Sequence, residues 1–398
     1  MRFTLHGARL VDATTDIASG DITIHGDRIE NVGEVQNTAQ RIVDATDAII
    51  MPGFIEVHTH GGGNHSLHTT DVQEIRAYMR WIPGTGVTSF LIGVLGTPNA
   101  MPEPQLVTSV EAIESYGNTL GAEPLGIHLE GPYISEKRRG AHAPSWLRKP
   151  NEAEIERIIA LTKGYLRLIT VAPELPGAPL MIRRLVEAGV TVSIGHSDAD
   201  YEQTREALQL GITHATHCFN AMRPLHHRAP GPIPAIAQAE QVLGELIADG
   251  VHVHPAMMDI LVRILGPERT IIVTDALEAA GMPDATFELA GQQVHVACGA
   301  ARLADGTLTG SILTMDQALR NVLAMTRVSM SEAVGMLTLN PARSARVADR
   351  KGRLQADYDA DVLIFDASLK LQATICRGQI AFANEVWRPK LSSLESAD

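Results

Sequence analysis

The chain has 398 residues, of which 45% are hydrophobic and 20% are charged, a balance typical of a globular protein with a large core. This composition excludes a disordered, collagenous or coiled-coil chain. No run approaches 18 apolar residues, so a membrane partner is not expected. Acidic residues outnumber basic ones by 46 to 33, and the net charge of −13 argues against a nucleic-acid partner.

Cysteine usage and the first residues bear on the cellular compartment. The three cysteines, Cys218, Cys298 and Cys376, are too few for a disulfide scaffold. The N-terminal residues MRFTLHGARLVDA lack the basic start and apolar stretch of a secretory signal. We therefore expect a cytoplasmic protein. Its 16 histidines, beside an aromatic content of 4%, are the first sign of chemistry.

Both ends of the chain have the short alternating patterns of β-strands. The predicted strands are Phe3–Val11, Asp21–His25, Arg28–Val32, Asp361–Asp366, Leu371–Arg377 and Gln379–Ala383. Strand-rich ends around a long middle predict one small β-sandwich domain built from both termini, residues 1–50 and 345–398.

The middle of the chain alternates between helical periodicity, a glycine stop and a short apolar strand. The predicted helices are 70–82, 151–163, 180–188, 199–210 and 255–265, and the strands that follow them begin near Gly86, Leu166, Thr191, Ile212 and Thr270. Asn151 and Glu154 have the spacing of a capping box. Repeated units of this length predict an α/β fold, a (β/α)₈ TIM-like barrel over residues 51–344.

Five apolar strand-like segments of the middle region end in a residue suited to metal binding or proton transfer. The strand-end residues are His58 and His60, Glu130, His196, His217 and Asp275. Barrel enzymes carry their chemistry at the carboxyl ends of their strands. Five strands that deliver such side chains to one end indicate a catalytic site there.

The spacing of these residues favours a metal centre. His58 and His60 are two apart in a strand, so both imidazoles point to the same side. Glu130 ends an apolar strand, where a buried carboxylate needs a partner such as a metal. His196 and His217 end neighbouring strands, and Glu and His donors suit zinc or iron. Asp275 is either a further ligand or a general base.

Other residues near these strand ends fit a substrate site. They include Ala141 and His142, Asn220 and Ala221, and the cations Arg228 and His252, which could hold an anionic group. His128 is interpreted as a packed histidine below Glu130. His214, three residues before His217, is assigned to the exterior or to packing.

The motifs together resemble those of the N-acetylglucosamine-6-phosphate deacetylases of the amidohydrolase superfamily. The matching segments are PGFIEVHTHG, HLEGP, GAH, GHS, THCFNAM, HHR, IADGVHVHP, VTDA, and GTLTGS followed by LTMDQALRN. They run from about residue 50 to residue 322, and the terminal segments match the small β domain of that superfamily.

The resemblance implies roles for these residues. Metal ligands would be Glu130, His196 and His217, with His58 and His60 for a second metal, so one or two divalent ions per chain. Asp275 would be the catalytic acid–base, and His142 would stabilise the oxyanion. The implied substrate contacts are Ala141, His142, Asn220, Ala221, Arg228, His252, Leu308, Thr309 and Gly310. The family also implies a homodimer, with Arg228 and His252 reaching the site of the neighbouring subunit.

The implied reaction is the metal-dependent hydrolysis of N-acetylglucosamine 6-phosphate, a sugar phosphate, to glucosamine 6-phosphate and acetate in amino-sugar catabolism. Alternatives are an amidohydrolase for another N-acetyl amino sugar or a cyclic amide, and a non-catalytic sugar-phosphate sensor. The chain departs from the family at Glu56, where aspartate is usual, and near the presumed sugar site in SFLIGVLGTP and RAPGPIPAI.

Overall fold

The computed structural model describes residues 1–33, 41–118, 121–289, 292–297 and 299–395. Within these ranges, no helix has the length and apolar character that a membrane crossing requires. Cys298 lies outside the described residues, and Cys218 and Cys376 are buried free thiols.

Eight parallel strands form the central sheet, and each pairs with its neighbours in chain order. They are β1 Phe54–Glu56, β2 Val87–Leu95, β3 Glu123–Glu130, β4 Leu166–Val171, β5 Thr191–Ile194, β6 His214–Ala215, β7 Leu243–Ile247 and β8 Thr270–Val273. Nearly every residue of these strands is buried, as a sheet covered by helices requires.

The first and last strands meet just beyond their carboxyl ends. The Asp275 N–H donates to the His58 carbonyl at 2.9 Å, and the His60 N–H donates to the Ala276 carbonyl at 2.8 Å. The buried Glu56 carboxylate crosses the same seam, because it accepts from the Thr274 N–H at 3.0 Å and hydroxyl at 2.7 Å. The glutamate that departs from the family pattern thus helps to close the barrel.

In the described residues, ten α-helices follow or connect the barrel strands, and an eleventh packs against the terminal sheet described below. They are α1 Val72–Trp81, α2 Glu103–Glu114, α3 Glu152–Thr162, α4 Ala178–Glu187, α5 Tyr201–Gln209, α6 Ile233–Gln238, α7 Pro255–Leu265, α8 Met315–Met325, α9 Met330–Leu337, α10 Leu339–Ser344 and α11 Trp387–Glu395. At α3, the Asn151 side chain accepts from the Glu154 N–H at 3.2 Å, which supplies the first half of the predicted capping box.

A second, eight-stranded sheet is built from both termini. Its strands are Arg2–Val11, Asp16–His25, Arg28–Gly33, Ile42–Asp44, Ile49–Pro52, Val362–Phe365, Leu371–Cys376 and Gln379–Ala383. Ile49–Pro52 joins the two halves, since it pairs with Arg2–Val11 on one side and with Val362–Phe365 on the other. The predicted fold, a barrel with a small β domain from both termini, is confirmed. The domain limits at residues 50 and 345 stay a prediction.

The sequence analysis did not predict a small three-stranded antiparallel sheet after β8. It consists of Thr286–Leu289, Gln292–Ala297 and Ala300–Leu303. The Thr309 N–H donates to the Ala301 carbonyl at 3.1 Å, so this sheet holds the segment that follows it. That segment passes over the carboxyl end of the barrel. The sheet therefore builds one wall of the site described below.

Candidate active site

The carboxyl ends of the barrel strands surround an open cleft of about 790 Å³. The predicted site residues on its wall are His60, Glu130, Ala141, His142, His196, His217, Asn220, Ala221, His252, Asp275, Leu308, Thr309 and Gly310. Trp146 and Leu277 add apolar surface. His58 lies just beneath the wall and is fully buried. The structure thus brings together every predicted site residue except Arg228.

Three of these side chains leave their strands through a left-handed backbone. The φ angles are 46° at His196, 24° at His217 and 49° at Asp275. Such conformations are uncommon outside glycine, and they are held only where the surrounding structure requires them. Gly310 is needed for a similar reason, because a Cβ there would lie 2.8 Å from the Asp275 carbonyl oxygen. The chain turns sharply here and directs the three side chains into the cleft.

Glu130 is at the centre of the histidines. Its Oε1 lies 3.0 Å from His196 Nε2 and 3.1 Å from His217 Nε2, and the two nitrogens are 3.0 Å apart. In tetrahedral zinc sites, ligands about 2.1 Å from the ion are separated by about 3.4 Å. The three atoms therefore form a slightly contracted face of such a site.

The hydrogen bonds of the imidazoles fit a cation at this point. His196 Nδ1 donates to the Arg138 carbonyl at 2.8 Å, so the neutral ring directs the lone pair of Nε2 towards Glu130 and His217. Lone pairs that converge on a carboxylate repel one another unless a positive charge lies between them. The residues present thus suit a divalent metal.

His58 and His60 extend the group on the other side of Glu130. His60 Nε2 lies 3.1 Å from Glu130 Oε2 and 3.3 Å from Asp275 Oδ1. Burial opposes protonation of His60, but these carboxylates outweigh it and raise its pKa to about 9. Gly93 makes room for the pair, because a Cβ there would lie 1.9 Å from the Thr59 carbonyl oxygen.

Three overlapping sets of ligand atoms lie within 4.8 Å of one another. They are His58 with His217 and Asp275, His58 with His60 and Glu130, and Glu130 with His142 and His196. The arrangement has room for one ion near His196 and His217 and a second near His58 and His60, with Glu130 between them.

Asp275 and His142 both line the cleft, with His142 Nε2 3.5 Å from Glu130 Oε2 and Asp275 Oδ1 3.3 Å from His60 Nε2. Burial opposes ionisation of Asp275, but His58 and His60 outweigh it and hold its pKa below the usual value. The carboxylate is therefore available to accept a proton. Burial lowers the pKa of His142, so its imidazole is neutral and has one N–H to donate. His142 packs edge-on against Trp146, with ring centroids 5.7 Å apart.

Glu245, on β7, is a residue of this site that the sequence analysis missed. It is fully buried, and its carboxylate accepts from His58 Nδ1 at 2.8 Å and from His214 Nε2 at 2.9 Å. The available signal was an acidic residue inside the apolar run LGELIA. The exterior option for His214 is wrong, since His214 is fully buried and its Nδ1 pairs with Ser344 Oγ at 2.9 Å.

The two predicted anion-binding residues are in different places. His252 lines the cleft of its own chain, where its Nδ1 donates to Asp249 Oδ2 at 2.6 Å. Burial opposes its protonation, but Asp249 outweighs it and raises the pKa of His252. Arg228 lies outside the cleft in an exposed segment and contacts His227. Of these two residues only His252 therefore lies at the cleft of its own chain, and the reach of both residues into a neighbouring subunit stays a prediction.

Comparison with known proteins agrees with this geometry. The Amidohydrolase family model matches residues 49–387, which is most of the chain. The chain belongs to the amidohydrolase family. This amidohydrolase is 36% identical to the N-acetylglucosamine-6-phosphate deacetylase of Lysinibacillus sphaericus, over 87% of this chain and 91% of the relative. It is 37% identical to the N-acetylgalactosamine-6-phosphate deacetylase of Escherichia coli O157:H7, over 84% of this chain and 88% of the relative.

Solved structures give the same family. An N-acetyl-D-glucosamine-6-phosphate deacetylase variant from Mycobacterium smegmatis, in complex with N-acetyl-D-glucosamine-6-phosphate, superposes on this amidohydrolase with a TM-score of 0.90. The match is 33% identical in sequence and covers 96% of this chain and all of that one. The predicted resemblance to this group of deacetylases is confirmed.

Proposed function

We propose that this amidohydrolase removes the acetyl group of N-acetylglucosamine 6-phosphate by hydrolysis of the amide, which yields glucosamine 6-phosphate and acetate. The observation that carries the proposal is the convergence of Glu130, His196, His217 and Asp275 at the floor of one cleft. The names of the similar proteins support the same substrate.

Glu130, His196 and His217 would hold one divalent metal, zinc or iron, and His58 and His60 would hold a second. A divalent metal in such a site activates water and polarises the amide carbonyl. Asp275 would accept the proton of the attacking water and pass it to the departing amine nitrogen. The neutral His142 would donate its N–H to the developing oxyanion, a contact worth about 3 kcal/mol when well placed.

A cyclic-amide hydrolase and a sugar-phosphate sensor fit the site less well. A sensor has no use for an ionised carboxylate such as Asp275 beside the ligand. A second hexosamine is favoured by one specific observation, the 37% identity to an N-acetylgalactosamine-6-phosphate deacetylase. The two sugars differ in the orientation of one hydroxyl group.

The deciding experiment is an amine- and acetate-release assay of the purified protein. It compares both N-acetylhexosamines, each with and without the 6-phosphate. We expect turnover of N-acetylglucosamine 6-phosphate, and a kcat/KM at least about tenfold lower for each other sugar, equal to about 1.4 kcal/mol. Turnover of the galactose epimer alone would reassign the substrate, and no release from any sugar would contradict the proposed reaction.

A homodimer is part of the proposal. The exposed Arg228, which contacts His227, is three residues after Leu225, which is 45% exposed, and an exposed apolar side chain near a surface cation in the sequence suits a subunit contact. In that dimer Arg228 would reach the phosphate in the partner's cleft. Arg228→Ala should then raise KM for the phosphorylated sugar more than it lowers kcat.

A cytoplasmic location is proposed from the cysteine usage alone.

A further inference from the structure

Glu245 is a buried carboxylate that the proposed reaction does not use. It lies on β7 with no exposed surface, and an isolated charge in that position would be strongly unfavourable. Among the described residues, no lysine or arginine forms an ion pair with it. Its partners are instead three N–H groups, and two of them belong to proposed metal ligands.

The first contact fixes the ring of His58. Glu245 Oε2 lies 2.8 Å from His58 Nδ1, which therefore carries the proton. The opposite nitrogen, Nε2, is buried and has no hydrogen-bond partner in the described part of the chain. It faces Glu130 Oε1 and Asp275 Oδ1, each at 3.5 Å. The contact thus presents a lone pair of His58 to the place between these two carboxylates.

The second contact holds the backbone of His217. The same Oε2 accepts the His217 N–H at 2.9 Å, at the residue whose φ angle is 24°. One oxygen therefore links the ring of a ligand on one side of Glu130 to the backbone of a ligand on the other side. The backbone of His217 has a further contact, since its carbonyl accepts the Asn220 N–H at 2.9 Å, whereas the described contacts of the His58 ring Nδ1 are with Glu245 alone.

The other carboxylate oxygen of Glu245 is held by a chain of hydrogen bonds that ends on a helix outside the barrel. Glu245 Oε1 accepts from His214 Nε2 at 2.9 Å, and His214 Nδ1 accepts from the Ser344 hydroxyl at 2.9 Å. Ser344 is the last residue of α10. This hydrogen-bonded chain restrains the carboxylate against rotation.

We propose that Glu245 is a positioning residue of the metal centre, which fixes the proton and the orientation of the His58 ring so that a second metal can bind at His58 and His60. The inference rests on the metal centre of the proposed function. Partners of this kind on ligand imidazoles typically change metal affinity by about 10–100-fold.

Two substitutions separate the effect of Glu245 on the orientation of the His58 ring from the effect of its negative charge. Glu245→Leu removes both effects, so we expect about one metal per chain where the parent binds about two. Glu245→Gln keeps the shape. Its amide oxygen can accept from His58, and its NH₂ can donate to His214, whose other nitrogen can then donate to Ser344. We expect this variant to bind two metals, with the second about 10–100-fold more weakly.

Ser344→Ala is the matched control, because it cuts the far end of the same chain without contact to a ligand. It should bind two metals, with a smaller loss of second-site affinity than in Glu245→Gln, because Glu245 keeps its charge and its contacts with His58 and His214. The measurements are metal per chain by elemental analysis across buffered zinc concentrations, and the visible spectrum of the cobalt-loaded protein. Circular dichroism and thermal unfolding of each metal-free variant check the fold.

Selective weakening of the second site in the Glu245 variants supports the inference. Two metals with parental affinities in Glu245→Leu, or equal loss from both sites, would overturn it. If the leucine variant does not fold, Glu245→Gln is the deciding variant. An affinity for the second metal equal to that of the parent would then overturn the inference. A parent that binds a single metal also overturns it, while acetate release by the parent tests the proposed reaction separately.

Discussion

Strand β3 carries a largely buried glutamate at each end, and the two ends differ in what neutralises them. At the amino end, Glu123 lies 2.9 Å from Lys351 Nζ and 2.8 Å from Arg350. At the carboxyl end, Glu130 is surrounded by imidazoles, and in the described residues no lysine or arginine pairs with it. One cluster contains its own cations, and the other is arranged to take one from solution.

The amino-end cluster joins the barrel to the small β domain. Lys351 is 2% exposed, and it also contacts Asp359 and Asp361, which precede a strand of the terminal sheet. Burial opposes ionisation of Glu123, but Lys351 and Arg350 outweigh it and lower its pKa to about 2. A buried ionic cluster that contains its own cations is balanced, so the loss of one partner is costly, whereas a cluster that lacks a cation is free to bind a metal.

Of the substitutions that test this comparison, Asp275→Asn should have the largest effect, and it acts on the turnover rate. Asp275→Asn keeps the shape but cannot accept a proton, so kcat should fall by about 10²–10⁴-fold. KM should change much less, because the lost interaction is used in the transition state. Steady-state kinetics and metal analysis test this. Loss of most of the metal would make Asp275 a ligand, and a kcat within about threefold of the parent would remove it from the mechanism.

Removal of the cation at the amino end should affect stability instead. Lys351→Met leaves three buried carboxylates without their ammonium group, which should cost about 3–5 kcal/mol in the free energy of unfolding. Metal per chain should not change. Denaturant unfolding measures the loss, and Lys163→Met is the control. Lys163 pairs with Glu114 at the surface, so its replacement should change stability by less than about 1 kcal/mol. An equal effect of both variants would contradict the assigned role of Lys351.

Metal removal tests the carboxyl-end cluster through the same quantity, the free energy of unfolding. Each metal present at 100 times its Kd stabilises the folded state by about 2.7 kcal/mol, so a chelator should lower the free energy of unfolding by about that amount for every metal bound. The same decrease is expected in Lys351→Met, because distant sites contribute independently. Thermal unfolding with and without chelator gives both values. A chelator that leaves the parent unchanged would argue against a metal centre.

The smallest effect is expected from the joint replacement of His58 and His60 by alanine. Metal per chain should fall from about two to about one, because both imidazoles belong to the second site. Activity should fall less than in His196→Ala, which removes a ligand of the first site. Elemental analysis and turnover of the two variants decide this. An unchanged metal content in the double variant would remove the second site.

The sequence by itself determined the barrel, the small domain from both termini and the positions of the reactive residues. These features are local, since periodicity marks each helix and strand, and a polar residue after an apolar strand marks its carboxyl end. For the same reason His58, Glu130, His196, His217 and Asp275 could be selected without a structure. The three-stranded sheet after β8 was missed because its strands are short and half exposed.

The tertiary structure alone decided the contacts between residues distant in sequence. Glu245 bonds to a histidine 187 residues away, and His214 bonds to a serine 130 residues away. Strand periodicity gives the side of the sheet on which a residue lies, but not which partner from another strand or helix meets it. A buried charge is tolerated only beside a partner, and that partner determines its role. Because the partner comes from a distant part of the chain, only the tertiary structure identifies the role.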